Sequence, residues 1–468
     1  KASMTSSSEP RPLPKRWQVH HQIPNDISRE LGDFSPLMRQ LLYNRGFENH
    51  DSAAAFINGT VDFPTDPFLI KDMDAAVERL HKAVTGGEKI AIYGDYDVDG
   101  TTAIAVIYKY LKATYDNLSF YVPDRYNEGY GVSFQGIDFA YQNNCTLIIT
   151  VDCGIKATDK TLYAKEKKID LIICDHHNPG SELPEACAVL DPKRNDCQYP
   201  YKELSGCGVA YKFMQAYCQS IGDDPANLIQ FLDLVVVSIG SDIVPVTGEN
   251  RILSYFGLQK LNTDPSPGLK SIISITGLTD KEIQINDIVF KIGPRINAAG
   301  RMDSGARAVE LLIANNEKTA EEIGVVINVI NLNRKELDHD ITEQALEMID
   351  ASEISKNAYT TVVFSEKWHK GVIGIVASRL TETYYRPTVV FTKSDDVATG
   401  SARSVPGYNL YNAIEHCSDL LENFGGHMYA AGLTLKMKNL PAFTQKFEDY
   451  VKSTITEEQR IPVINVDM

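Results

Sequence analysis

The chain has 468 residues, 43 % hydrophobic and 23 % charged, with a formal net charge of −16. That length allows about two to four domains with cores of their own. The charge argues against broad, sequence-blind attachment to duplex DNA, which calls for a basic face, but it permits a local basic channel. No apolar run approaches the roughly 20 residues that cross a bilayer. The Ser- and Pro-rich start lacks the apolar core of a signal peptide, so a cytoplasmic protein without membrane contact is expected. The eight cysteines include no Cys-x-x-Cys pair and read as reduced, packed thiols.

In chain order, residues 1–14 are expected to be a disordered tail, and 15–88 a helical segment packed on the domain that follows. From 89 to 315 strands, loops and helices alternate, with strand candidates at 89–93, 118–122, 146–151, 170–174 and 188–190. Short apolar runs separated by helices indicate a parallel sheet covered on both faces. Such sheets bind ligands beyond the carboxyl ends of their strands. Residues 291–303 read as a loop punctuated by glycine and proline. A helix-forming stretch within 316–355 leads to a second, smaller α/β domain over 356–458. Its expected order is strand 361–364, helix 371–384, strands 387–392 and 397–403, helix 410–421, a glycine turn at 425–428, strand 431–436 and helix 441–455. Residues 459–468 look like the beginning of a further strand. The fold class is therefore α/β, with two domains joined by a long helix and a cleft between them.

Asp95, Asp97 and Asp99 sit at alternate positions where the first strand gives way to a helix. Alternation puts all three on one side of an extended turn, where they repel one another unless a cation lies among them. A single aspartate there would be an ordinary helix cap. Three fit a hard metal gripped by oxygen ligands. Asp152 follows the run 147–151, Asp175-His176-His177 follows 171–174, and Asp242 ends the apolar run 234–241. Asp97, Asp99, Asp152, His176 and Asp242 make a set suited to two divalent ions sharing an aspartate, with Mn²⁺ or Mg²⁺ favoured by the oxygen-rich shell. Two such ions about 4 Å apart can activate water and neutralise a phosphoryl group. His177 suits a phosphate donor or acid catalyst, and Asp175 an orienting partner for an imidazole. Cations for an opposing wall are Arg295 and Arg301, Arg125, the Gly400–Ser404 turn with Arg403, and Gly425-Gly426-His427. Tyr126, Tyr130 and Tyr408 are candidates for base stacking.

Tyr93–Thr102, Val151–Gly154, Asp175–His177 and Ser241–Pro245 resemble the four motifs of the DHH phosphoesterases. Gly293–Asp303 and Gly425–Gly432 are similar to motifs of the RecJ branch, the single-strand-specific 5′→3′ DNA exonucleases with a DHH and a DHHA1 domain. The resemblance spans about residues 70–450. It implies two metal ions at Asp97, Asp99, Asp152, His176 and Asp242, with Asp95 close by and His177 acting on the scissile phosphate. It further implies Arg125, Ser401 and Arg403 near the 5′-phosphate, and Arg295, Arg301 and His427 on the strand. The implied activity releases 5′-mononucleotides from single-stranded DNA, in DNA repair and recombination. Its implied setting is a monomer working beside a helicase and a single-strand-binding protein. The alternative is a DHH-type phosphodiesterase of short oligonucleotides or cyclic dinucleotides. Tyr93 stands where some members carry a histidine ligand. Members of the branch also continue into an oligonucleotide-binding barrel, which would begin near Met468; without it, affinity for long strands is expected to fall while the hydrolytic site remains.

Overall fold

The computed structural model describes residues 14–58 and 65–467, so nearly all of the expected tail at 1–14 lies outside it. The chain forms two compact units: residues 54–332, and residues 14–53 together with 333–467. The 15–88 segment is thus divided between them. The boundary at 332/333 falls inside one long helix, Glu317–Asp350, which begins and ends within a few residues of the expected stretch.

In the first unit five strands form one parallel sheet: β1 (Lys89–Gly94), β2 (Leu118–Tyr121), β3 (Cys145–Val151), β4 (Asp170–Cys174) and β5 (Ala188–Leu190). Their order is β2-β1-β3-β4-β5. The Ile- and Val-rich runs make these strands because both sheet faces are buried. Ile90, Ile92, Leu147 and Ile149 face one layer, with helix α1 (Val98–Lys112) and helix α2 (Gly206–Ile221). Ala91, Tyr93 and Ile148 face the other, with helix Phe134–Gln142. The order reverses direction at β1, so the connections leaving β1 and β3 diverge and open a crevice at their carboxyl ends. That is where Asp95 and Asp152 fall.

Two elements differ from expectation in this unit. The apolar run ending at Asp242 is a buried helix, α3 (Leu232–Asp242). Residues 291–303 are not a loop: a π-turn at Ile288–Ile292 runs into helix α4 (Gly293–Met302). Pro294 sits in the first turn, where its missing N–H has no partner to lose.

The second unit holds a mixed sheet of β6 (Thr361–Ser365), β7 (Thr388–Ser394), β8 (Val397–Arg403), β9 (Leu421–Gly426) and β10 (Ala430–Lys436), ordered β9-β10-β8-β7-β6. Only β6 and β7 are parallel. Helices α5 (Ile373–Tyr384), α6 (Leu410–His416) and α7 (Leu440–Thr454) accompany it. The helix expected to reach 421 ends at His416, and the expected glycine turn instead closes strand β9. Pairing with β10, Gly425 opposite Gly432, overrides the weak strand propensity of Leu-Glu-Asn-Phe-Gly-Gly. Strand Val463–Val466 pairs in parallel with Arg16–Val19.

One buried ion pair fixes α2 to its surroundings. Lys212 is fully buried and donates from Nζ to Glu249 Oε1 (2.8 Å) and the Thr65 carbonyl (2.6 Å), while the Tyr199 hydroxyl donates to Glu249. Glu249→Ala strands the ammonium, and a stability loss of about 3 kcal/mol is expected by chemical denaturation. Lys212→Met/Glu249→Leu should lose clearly less. A double variant no more stable than the single one would contradict this.

Candidate metal centre

Six carboxylates and two imidazoles meet in the crevice. Asp97 caps α1 in extended backbone, accepting from Gly100 N–H (3.1 Å). The Val98 N–H donates to Asn297 Oδ1 (3.1 Å), which ties α4 to the start of α1. Glycine is required twice here. A Cβ on Gly100 would lie 2.4 Å from the Asp95 carbonyl, and one on Gly300 would lie 2.4 Å from the Tyr96 carbonyl. Asp99, in the first turn of α1, accepts from Gly206 N–H and Cys207 N–H at the start of α2 and from the Ser238 hydroxyl on α3, each at 2.7 Å. Three donors at the head of α2 and on α3 fix the position of that carboxylate.

Asp152 leaves β3 in the left-handed region, φ +58°, with its N–H on the Cys174 carbonyl (2.9 Å). A Cβ on Gly206 would come within 2.7 Å of its Oδ1. Asp175 accepts from the N–H groups of Ile155 (2.8 Å), His176 (2.8 Å) and His177 (3.2 Å), and from His177 Nδ1 (2.8 Å). His176 Nε2 lies 3.1 Å from Asp152 Oδ1, 3.5 Å from Asp99 Oδ2 and 3.7 Å from Asp242 Oδ2. Ligand atoms of Asp95, Asp97 and Asp152 lie within 4.8 Å of one another, as do those of Asp99, His176 and Asp242 and those of Asp152, His176 and His177. Asp95, Asp99, Asp152 and His176 form a buried floor, while Asp242 and His177 keep 31 % and 37 % of their side-chain surface at its rim.

The charges conflict. Burial, and then Asp99, Asp97, Asp95 and Asp242, push the Asp152 carboxyl well above the usual carboxylate range. Burial and Asp97 do the same to Asp95, and burial and Asp99 raise Asp97 despite its N–H partners. Asp242 is pushed up to about 8 by burial, Asp99 and Asp97. Asp95 Oδ1, Asp152 Oδ1 and both ring nitrogens of His176 are buried without a hydrogen-bond partner among the described residues. Orphaned carboxylate oxygens beside an unpaired imidazole fit divalent cations with oxygen-rich shells. Every sequence-derived ligand candidate is part of this cluster.

The other candidates are more scattered. The Arg125 guanidinium lies over the Tyr96 ring, 4.7 Å from its centre, and acts on Asp95. Arg301 acts on the same ring, and its carbonyl accepts from the Tyr126 hydroxyl. Arg295 donates to the Lys291 carbonyl (2.8 Å) and to Asn328 Oδ1 (3.3 Å), so its guanidinium is engaged within the fold. In the second unit Arg403 Nη1 donates to Ser401 Oγ (3.1 Å) and the Ala402 carbonyl (2.7 Å). Gly374, in the first turn of α5, is where a Cβ would meet both side chains at 3.0 Å. Gly425 faces open space, Gly426 has φ +149°, and His427 is exposed. Tyr408 is buried, with its hydroxyl near Thr454 Oγ1, and Tyr126 is half-buried. Tyr130 instead bonds the Asp152 carbonyl (3.1 Å) and approaches His177 Nδ1 (3.1 Å). The Tyr93 hydroxyl is committed to the Gly131 carbonyl (2.8 Å) and the Ser133 N–H (3.1 Å), so it braces a loop. Sequence reasoning missed Ser238, Asn297, Gly206 and Gly374. For Gly206 a signal existed: Ser205-Gly-Cys-Gly208 is a cap before a glycine-rich first turn, and the Ser205 hydroxyl does accept from Gly208 N–H.

The parallel sheet with acidic strand exits defines a DHH-type protein. The model of the DHH family N-terminal domain matches residues 89–239, and that of the DHHA1 domain matches 356–453. The single-stranded-DNA-specific exonuclease RecJ of Bacillus subtilis is 38 % identical over 97 % of this chain and 57 % of its own length. RecJ of Salmonella typhimurium is 34 % identical over 94 % of this chain and 78 % of its own. The Mn²⁺ complex of Thermus thermophilus RecJ superposes with a TM-score of 0.82 at 26 % identity, covering 96 % of this chain and 64 % of that one. A second exonuclease RecJ structure bound to manganese gives 0.74 at 29 % identity, covering 84 % and 97 %. The chain belongs to the RecJ family. It spans a little over half the length of the Bacillus relative.

Among the described residues no helix is long and apolar enough to cross a membrane, seven cysteines are buried and free, and Cys187 is exposed and free.

The crowding of charge has a measurable consequence in ion-free buffer. Asp242 titrates near 8 in the folded chain against 3.8 ordinarily, and His177 near 9 against 6.5, the latter because Asp175 outweighs burial. Between pH 7 and 9 the folded chain therefore binds more protons than the unfolded one, and stability falls as pH rises. His176, shifted down, opposes this only below 6.5. With EDTA present, the melting temperature should rise as pH is lowered from 9 to 7. A melting temperature that falls over that range would contradict the charge conflict.

Proposed function

We propose that the chain is a two-metal phosphodiesterase that hydrolyses single-stranded DNA from the 5′ end to 5′-mononucleotides with Mn²⁺ or Mg²⁺. The observation that carries this reading is the cluster of mutually repelling, hydrogen-bond-poor ligands on a RecJ-family frame. Asp95, Asp97 and Asp152 would hold one ion and Asp99, His176 and Asp242 the other, with Asp152 near enough to be shared. Bound there, two divalent ions supply the positive field that favours in-line attack of water on a phosphodiester.

The chain's own residues do the rest. Helix α2 and Ser238 hold Asp99 with both oxygens occupied by donors, which fixes the floor of the site. Asp175 accepts a hydrogen bond from Nδ1–H of His177, which keeps the imidazolium charged and leaves the Nε2 proton for a phosphoryl oxygen or the departing 3′-oxygen. Arg125, stacked on Tyr96, and Arg301 offer cationic contacts to phosphates at the Asp95 side. Ser401 and Arg403, beside the first turn of α5, suit the terminal 5′-phosphate. Gly425, Gly426 and His427 suit contacts along the strand. The setting that fits is a cytoplasmic monomer acting on strands opened by a helicase and coated by a single-strand-binding protein, in DNA repair and recombination.

Asp97→Ala or Asp242→Ala should lower mononucleotide release by more than about 100-fold with little change in circular dichroism. Activity within a few-fold of the parent would remove that residue from the ligand set. Arg403→Ala should cost 5′-phosphorylated strands about tenfold more in kcat/KM than 5′-hydroxyl strands, and equal losses would exclude it from the end site. Labelled at either end, a single strand should release label from its 5′ terminus first. First release from the 3′ terminus would reject the polarity.

A further inference from the structure

Residues 122–133, which join β2 to helix Phe134–Gln142, carry both Arg125 and Tyr130. Between these two stands Glu128, a carboxylate with no part in the ligand set. It gathers donors from before, within and after the turn: the Tyr121 hydroxyl (2.9 Å to each oxygen), the Asp124 N–H (2.8 Å) and the Ser133 hydroxyl (2.5 Å). The Glu128 N–H donates to the Asp124 carbonyl (2.9 Å), and Asp124 Oδ1 accepts from the N–H groups of Tyr126 (2.9 Å) and Asn127 (2.8 Å). The Ser133 hydroxyl also accepts from Gly136 N–H (2.9 Å), so the clamp reaches the helix that follows. Tyr93 braces the far end of the segment at Gly131 and Ser133, while Glu128 joins its two ends to each other.

The closed segment presents two side chains to the metal centre. The Arg125 guanidinium lies 4.7 Å from the centre of the ring of Tyr96, the residue after Asp95. Tyr130 keeps 55 % of its surface exposed, yet its hydroxyl bonds the Asp152 carbonyl (3.1 Å) and lies 3.1 Å from His177 Nδ1. Its neighbours Gly129 and Gly131 both stand in the left-handed region, at φ +82° and +87°. A half-exposed ring between two such glycines gains little orientation from its own backbone, so its pose must be set from outside. We infer that Glu128 is a positioning residue for the reaction: its carboxylate closes the segment so that Arg125 and Tyr130 stand at the centre before substrate arrives. This rests on the exonuclease reading and deepens it, by assigning the order of that wall of the site to one side chain that touches neither metal ligand nor substrate.

Two measurements on the full chain test it. Amide hydrogen exchange of the metal-free protein should quicken about tenfold over residues 124–133 in Glu128→Ala, with β1 and β3 unchanged. Unchanged exchange over 124–133 would overturn the inference whatever the activity. The second measurement is kcat/KM on a 5′-phosphorylated single-stranded oligodeoxynucleotide with Mn²⁺. Glu128→Ala should cost the parent chain about tenfold, but less than about twofold in a chain already carrying Arg125→Ala and Tyr130→Phe, because the side chains it positions are then gone. Glu128→Gln, which keeps an acceptor for the Asp124 N–H, should recover part of the loss. Equal losses in both backgrounds are what a purely bracing role gives, and they would overturn the inference while leaving the exonuclease reading intact. A parent chain inactive on every single strand would overturn that reading, and the inference with it.

Discussion

The repulsion among carboxylates at the carboxyl ends of β1 and β3 is the constraint on which the first unit depends. Burial raises the cost of every charge there, and each aspartate raises that of its neighbours. The fold answers with one fully hydrogen-bonded carboxylate: Asp99, surrounded by two N–H groups at the head of α2 and a hydroxyl from α3. Around that anchor Asp95 and Asp152 are each packed with one oxygen left unpaired among the described residues. Such a cluster is a costly way to build a core and a reasonable way to build a cation site.

Close backbone approach is what makes the packing possible. Glycines 100, 206 and 300 each stand where a Cβ would strike the Asp95 carbonyl, the Asp152 side chain or the Tyr96 carbonyl. Helix α4 contributes Asn297 and Gly300 to the acidic turn itself, so the Gly293–Asp303 motif buttresses the metal centre as well as carrying arginines. Arg125, over the Tyr96 ring, then supplies positive charge beside Asp95 without entering the ligand set.

Much of this was legible in the residues. Parallel strands buried on both faces are short Ile/Val runs, and all five were placed within about a residue of their observed ends. The aspartates and His176 could be read as a set because the strand exits of a parallel sheet share one edge. Asp242 followed an apolar run whose periodicity cannot separate a buried helix from a strand, and it proved to end a helix. The 291–303 segment misled for a physical reason: Pro294 and Gly300 look like loop punctuation but serve as a helix start and a contact point. Ser238 lies 139 residues from Asp99, and Gly206 lies 107. No local pattern reports contacts of that range.

The central claim is that two divalent ions resolve the charge conflict and share Asp152. Calorimetric titration of Mn²⁺ into the metal-free chain, paired with electron paramagnetic resonance of the product, tests it most directly. The account predicts two ions per chain with magnetically coupled spectra, and a single uncoupled ion or none after Asp152→Asn. One ion or none in the parent chain, or two coupled ions that survive Asp152→Asn, would contradict it.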